Sequence, residues 1–92
     1  MKDRFYQDAR YPWSDVEPGI RRKIVGHTPN LLAAVVWFDQ GAVGTPHDHE
    51  AHEQIAYVLA GSFAVEVDGE KRVLRAGDAF IADKNVQHGV VA

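Results

Sequence analysis

His47 and His49 are separated by one residue, and side chains on an extended strand alternate faces, so both imidazoles project to the same side. Their Cα atoms then lie about 6 to 7 Å apart, from roughly 3.3 Å of rise per residue. Two neutral imidazoles so placed can converge on one divalent cation at metal–nitrogen distances of about 2.0–2.1 Å. An isolated His-x-His equally describes two solvated loop histidines, so the reading rests on the further ligands. Two neighbours compete, Glu53 and Gln54. A carboxylate is the more usual ligand for a hard or borderline cation. Strand phase favours the amide, because in a strand over 54–60 Gln54, Ala56, Val58 and Ala60 share one face and Glu53, Ile55, Tyr57 and Leu59 the other. The small residues beside Gln54 leave room for an ion, and His88, far along the chain, supplies the fourth ligand. The chemistry expected of His47, His49, Gln54 and His88 is binding of a divalent transition metal ion, with Ni, Zn, Mn and Fe left open.

These residues need rigid elements, and the chain reads as a succession of strands. Glu17-Pro18-Gly19 is a turn that opens a strand over 20–27. Its Arg21, Arg22 and Lys23 are read as a solvated strand face, the alternative being an anion site. Thr28-Pro29-Asn30 turns into an apolar run over 31–38 that is expected to be a buried strand. Asp39-Gln40-Gly41 closes it, and Gly44-Thr45-Pro46 aims the histidine pair. Over 62–67, Phe63, Val65 and Val67 alternate onto one face, and Asp68-Gly69 is a two-residue hairpin signal leading to a return strand over 70–75. A short strand over 79–82 precedes His88. Turn signals every eight to twelve residues or so, with no amphipathic helix between them, predict an all-β sandwich or barrel. His52 is expected in a supporting or exposed position, His27 in a structural or exposed one, and Tyr57 and Trp37 in the core. Trp13 is expected to cover one end of that core.

Ninety-two residues allow one domain with a small core, for which a metal or a partner subunit is a natural supplement. The expected arrangement is a partly ordered lead-in at 1–10 and a folded domain at 11–92, assembled as a homodimer. Ten Lys and Arg stand against 13 Asp and Glu, and a net charge of −3 argues against nucleic acid as a partner. Cysteine is absent, so disulfides and thiolate metal sites are excluded. No apolar run reaches the roughly 18 to 20 residues of a helical membrane span, and the polar start is no signal peptide. A soluble, cytoplasmic protein is expected.

The metal-ligand run resembles the first motif of the cupins, Gly-x5-His-x-His-x3-4-Glu-x6-Gly, with Gly41, His47, His49 and Gly61 in register and Gln54 at the glutamate position. The second cupin motif, Gly-x5-Pro-x-Gly-x2-His-x3-Asn, meets Gly77 and His88, while Asp83, Asn85 and Ala92 replace its proline, second glycine and asparagine. Asn tolerates positive φ, so Asn85 can serve the turn. Within the cupins the chain resembles the small KdgF-like proteins of pectin and alginate breakdown. The matching text is Pro12-Trp13, residues 19–23, 38–49, 52–58, 60–63 and His88-Gly89-Val90-Val91. That resemblance implies a single-domain jelly-roll barrel, a divalent ion on His47, His49, Gln54 and His88, and an isomerase-type conversion of cyclic 4,5-unsaturated uronates to linear keto sugar acids. It further implies a C-terminal strand with Asp, Phe and Arg groups that act on the substrate. The sequence has no counterpart to that strand through Ala92, so no catalytic residue is assigned. The alternatives are a non-catalytic cupin that binds a small sugar acid and an iron-dependent oxygenase. The oxygenase wants two His and one carboxylate, a role Glu53 would have to fill.

Overall fold

Strand-forming residues between Gly-, Pro- and Asn-containing turns give nine β-strands and one 3₁₀ turn among the residues that the computed structural model describes, 4–48 and 52–92. The chain divides into two units, Met1–Asp39 and Gln40–Ala92. No helix among the described residues is long and apolar enough to cross a membrane.

In the first unit β1 (Ser14–Glu17), β2 (Ile20–His27) and β3 (Leu32–Phe38) form an antiparallel sheet in chain order. Pro18 and Gly19 turn β1 into β2, and Gly19 takes φ +76°, a value open to glycine because it has no Cβ. The Thr28 hydroxyl oxygen accepts from the Asn30 and Leu31 amides, both at 3.1 Å, and so closes the β2–β3 turn. Ile20, opposite Phe38, is buried.

The basic run of β2 departs from expectation at Lys23, which is 8% exposed. Its ammonium donates to the Asp8 carboxylate at 3.0 Å and to the Asp8 carbonyl at 3.2 Å, and it stands 4.9 Å over the Trp13 ring. The aliphatic stem is covered while the charge is met by acceptors and a π face, which removes most of the penalty for burying it. Asp8 belongs to the 3₁₀ turn Asp8–Arg10 and also accepts from the Tyr6 hydroxyl at 2.6 Å. Tyr6 stacks on Tyr11 with ring centroids 5.0 Å apart. Trp13 meets Trp37 edge-on at 6.4 Å, and Arg21 lies over the Trp37 ring at 5.8 Å. The expectation that 31–38 is a buried strand is corrected here. β3 forms, but Leu32, Val36 and Trp37 are exposed, Trp37 to 50% with its indole N–H donating to Asp39 at 3.0 Å.

The second unit holds β4 (Val43–His47), β5 (Gln54–Tyr57), β6 (Ser62–Val67), β7 (Glu70–Arg75), β8 (Ala79–Ala82) and β9 (His88–Val91). Four of them form an antiparallel sheet in the order β4-β9-β6-β7, and β5 pairs with β8. Asp68 and Gly69, at φ +51° and +80°, make the β6–β7 turn with two left-handed residues, as a two-residue hairpin requires. Phe63, Val65 and Val67 turn to the covered face of β6 while Ala64 and Glu66 are exposed, and β6 lies against β8. Val65, Ala82 and His88 are buried. Tyr57, expected in the core, is 62% exposed and shares the outward face of β5 with Ile55.

The Asp8 carboxylate is held below the usual range by the Tyr6 hydroxyl and then by Lys23, and the Tyr6 phenol is pushed up to about 12, first by its hydrogen bond to Asp8. A lowered carboxylate pKa contributes stability above its unfolded value and loses it as pH falls through the lowered one. Acidification below about pH 4 should therefore release residues 6–11 from β2. Hydrogen exchange at the Arg10 and Tyr11 amides, bonded to Gln7 and Asp8 carbonyls, reports it. In Lys23→Met the same amides should already exchange faster at neutral pH.

Candidate metal centre

β4 and β9 pair Val43 with Val91, Gly44 with Val90, and then His47 with His88. One residue of β9, Gly89, spans the interval that two residues of β4, Thr45 and Pro46, occupy. Such a bulge adds one residue to a strand and reverses the alternation beyond it. Without it position 46 would oppose His88; with it His47 does. The two rings accordingly meet, with centroids 4.3 Å apart and planes inclined by 60°. His88 is also paired to Val67 of β6 on its other side, which explains why it is 2% exposed while His47 is open to solvent.

Both imidazoles are oriented in the same way. His47 Nδ1 lies 2.9 Å from the Thr45 carbonyl oxygen, and His88 Nδ1 lies 3.1 Å from that of Val86, each two residues upstream. A carbonyl oxygen only accepts, so each neutral ring carries its proton on Nδ1 and its lone pair on Nε2. That is the tautomer in which Nε2 serves as a metal ligand and the other nitrogen is anchored by the protein. In His88, Nε2 is shielded from water. The turn before His88 closes with the Val86 amide donating to the Asp83 carbonyl at 3.1 Å, and Asn85 sits at φ +64°. The asparagine does here what a glycine would do.

Gln54 opens β5 opposite Ala82 and is half-buried, on the face it shares with Ala56, while Glu53 and Ile55 are exposed. Phe80 faces Ala56 across the β5–β8 pair and is half-buried, and its ring reaches to 6.0 Å from that of His88. The face that carries Gln54 is thus the face that meets His88. His49 lies outside the described residues. His52 is exposed, and His27 ends β2 in an exposed position. Among the described residues no three His, Asp or Glu side chains gather, so the structure brings together His47 and His88, with Gln54 on the strand pair packed beside them.

Residues that sequence reasoning did not single out are Phe80, Gly89 and the carbonyls of Thr45 and Val86. Phe80 had a signal in the short strand over 79–82, and Gly89 had one as a glycine inside a strand. A cavity of about 120 Å³ borders His88, Pro46, Glu66, Gln87 and Gly89. The larger one, about 390 Å³, lies over Val43, Ala64, Val73 and Val91, and neither histidine lines it.

A protein-family model described as a cupin domain matches residues 34–92. The chain is 51% identical over 89 residues to the pectin degradation protein KdgF of Dickeya dadantii, covering 97% of this chain and 81% of that one. The solved structure of KdgF from a Halomonas species superposes with a TM-score of 0.94 at 57% identity, over 99% of this chain and 83% of the other. An RmlC-like cupin from Shewanella frigidimarina gives 0.93 at 39% identity, over 98% and 80%. These likenesses show the all-β jelly-roll fold.

The anchoring of Nδ1 makes a measurable statement. Long-range ¹H–¹⁵N spectra of the metal-free protein above the imidazole pKa should show His47 and His88 as the Nδ1–H tautomer. Solvated imidazole prefers the proton on the other nitrogen, and the Nε2–H form at either residue would contradict the geometry.

Proposed function

From the premise that the chain belongs to the cupin family, and within it to the relatives of the pectin degradation protein KdgF, we propose that it converts cyclic 4,5-unsaturated uronates to linear keto acids, with a divalent metal ion on His47, His49, Gln54 and His88. The observation that carries this reading is the His47–His88 pair, whose Nε2 lone pairs are set by two main-chain carbonyls.

The donor chemistry fits such an ion. Imidazole nitrogen is a good ligand for the late divalent metals, and the amide of Gln54 adds a neutral oxygen. When bound, the ion supplies Lewis-acid polarisation of the sugar oxygens. Three imidazoles and an amide bring no negative charge to the site, so no ligand repels the uronate carboxylate. Ring opening takes the proton from the anomeric hydroxyl, forms the C1 carbonyl, breaks the bond from C1 to the ring oxygen, and yields an enolate that is protonated at C4, its oxygen becoming the C5 carbonyl. One proton leaves and one arrives, and no electrons are exchanged, so the reaction is an isomerisation. Phe80 and the buried side of His88 keep bulk water from one flank of the site. An oxygenase would need a carboxylate ligand, and the exposed Glu53 lies out of phase with Gln54.

The proposal is tested by mixing the purified protein with an unsaturated monouronate and following the conjugated-alkene absorbance. Loss of absorbance faster than the uncatalysed reaction is expected, and sensitivity to EDTA with it. Tight binding without turnover would indicate a non-catalytic binder instead. A ligand present at about 100 times its Kd and bound by the native state alone adds about 2.7 kcal/mol, so chelation should lower Tm by roughly 10–20 °C in a chain of this size.

Position 54 separates the isomerase from the oxygenase. Gln54→Glu should hold the metal more firmly, since it adds a charged oxygen, and should turn over the anionic substrate more slowly. Glu53→Gln should leave metal content nearly unchanged. Metal lost in Glu53→Gln and indifferent to Gln54→Glu would reverse the assignment.

A further inference from the structure

The bulge that brings His47 to His88 needs room on the opposite strand, and the room is at Gly89. A Cβ built there would stand 3.0 Å from Cγ, 3.3 Å from Cα and 3.4 Å from Cβ of Pro46. Contacts of 3.0–3.4 Å require the neighbour to give by a few tenths of an ångström, and all three atoms belong to the rigid pyrrolidine ring of Pro46. Gly89 is not among the glycines with positive φ, so its backbone suits any L-residue. The demand is for space alone. Glycine weakens a strand, and its use inside one marks a bulge or a close backbone approach. Both are present here. Thr45 and Pro46 together oppose Gly89, Pro46 immediately precedes His47, and Thr45 carries the carbonyl that anchors the His47 ring.

We infer that Gly89 is a positioning residue for the metal ligand His47: by leaving its Cβ space to Pro46 it lets β4 bulge close over β9, which turns His47 to the face of His88. This rests on the metal-binding reading for its functional weight, but the positioning itself does not. A side chain at 89 lifts Pro46 away, carries Thr45 and His47 with it, and parts the two imidazoles.

The test is Gly89→Ala, with Zn²⁺ as the probe metal and calorimetry as the readout. Loss of a group that orients a ligand typically weakens metal binding about 10- to 100-fold, and a change of that size is expected here. In the metal-free protein the nuclear Overhauser contacts between the His47 and His88 rings should weaken in parallel. Pro46→Ala removes the nearest of the three contacts, so adding it to Gly89→Ala should recover a large part of both signals. Unchanged Zn²⁺ affinity with unchanged ring contacts in Gly89→Ala would overturn the inference, as would a loss that Pro46→Ala does not relieve. If the wild-type chain bound no Zn²⁺, the metal reading would fail while the ring contacts would still decide the positioning. Should Gly89→Ala not fold, folding of the Pro46→Ala/Gly89→Ala protein supports the inference, and failure of that protein too overturns it.

Discussion

A strand that alternates strictly commits every second side chain to one face, and β4 breaks that commitment by one residue between Gly44 and His47. The histidine pair exists because of that break. Everything nearby accommodates it: the absent side chain at Gly89, the proline whose ring fills the space, and the Thr45 carbonyl that accepts the hydrogen bond from the imidazole. β9 is the fixed partner. It sits between β4 and β6, and His88 is buried by being paired on both sides.

Part of this was legible in the sequence because it depends on single residues with strong local preferences. Asp68-Gly69 announces its hairpin through left-handed backbone. Asn85 holds a position where a glycine is usual, because its side chain tolerates the same φ. The phase of β5 follows from the alternation of Gln54 and Ala56 with Ile55 and Tyr57. The places of His47, Gln54 and His88 in their strands follow from spacing and alternation, although the bulge that sets His47 opposite His88 leaves no mark except a glycine on the adjacent strand.

What was illegible depends on which neighbour covers which face. The apolar run of β3 tells that the segment is a strand, but not that Leu32 and Trp37 are left open, since burial is a property of the layer packed on it. Tyr57 fails for the same reason. Lys23 fails in the opposite direction: three consecutive basic residues suggest a solvated face, and only the return of Asp8 and Trp13 over β2 gives the middle of that sheet a counter-charge and a π face. The first unit thus buries a cation against a carboxylate and an indole, and the second buries an imidazole against a main-chain carbonyl. In both, the partner that makes the burial affordable is fixed by chain geometry.

His47 and His88 each donate a hydrogen bond from Nδ1 to the carbonyl two residues earlier, an acceptor that every amino acid supplies. Replacing the side chain at 45 or 86 leaves that acceptor in place, so these positions are free to drift in sequence as long as the backbone path is kept. Insertion or deletion of a single residue between Gly44 and His47, or between Asp83 and His88, changes the path itself. The centre is therefore tolerant of substitution and intolerant of changes in length, and divergent descendants of this chain would be recognised by the conserved intervals more readily than by the residues that fill them.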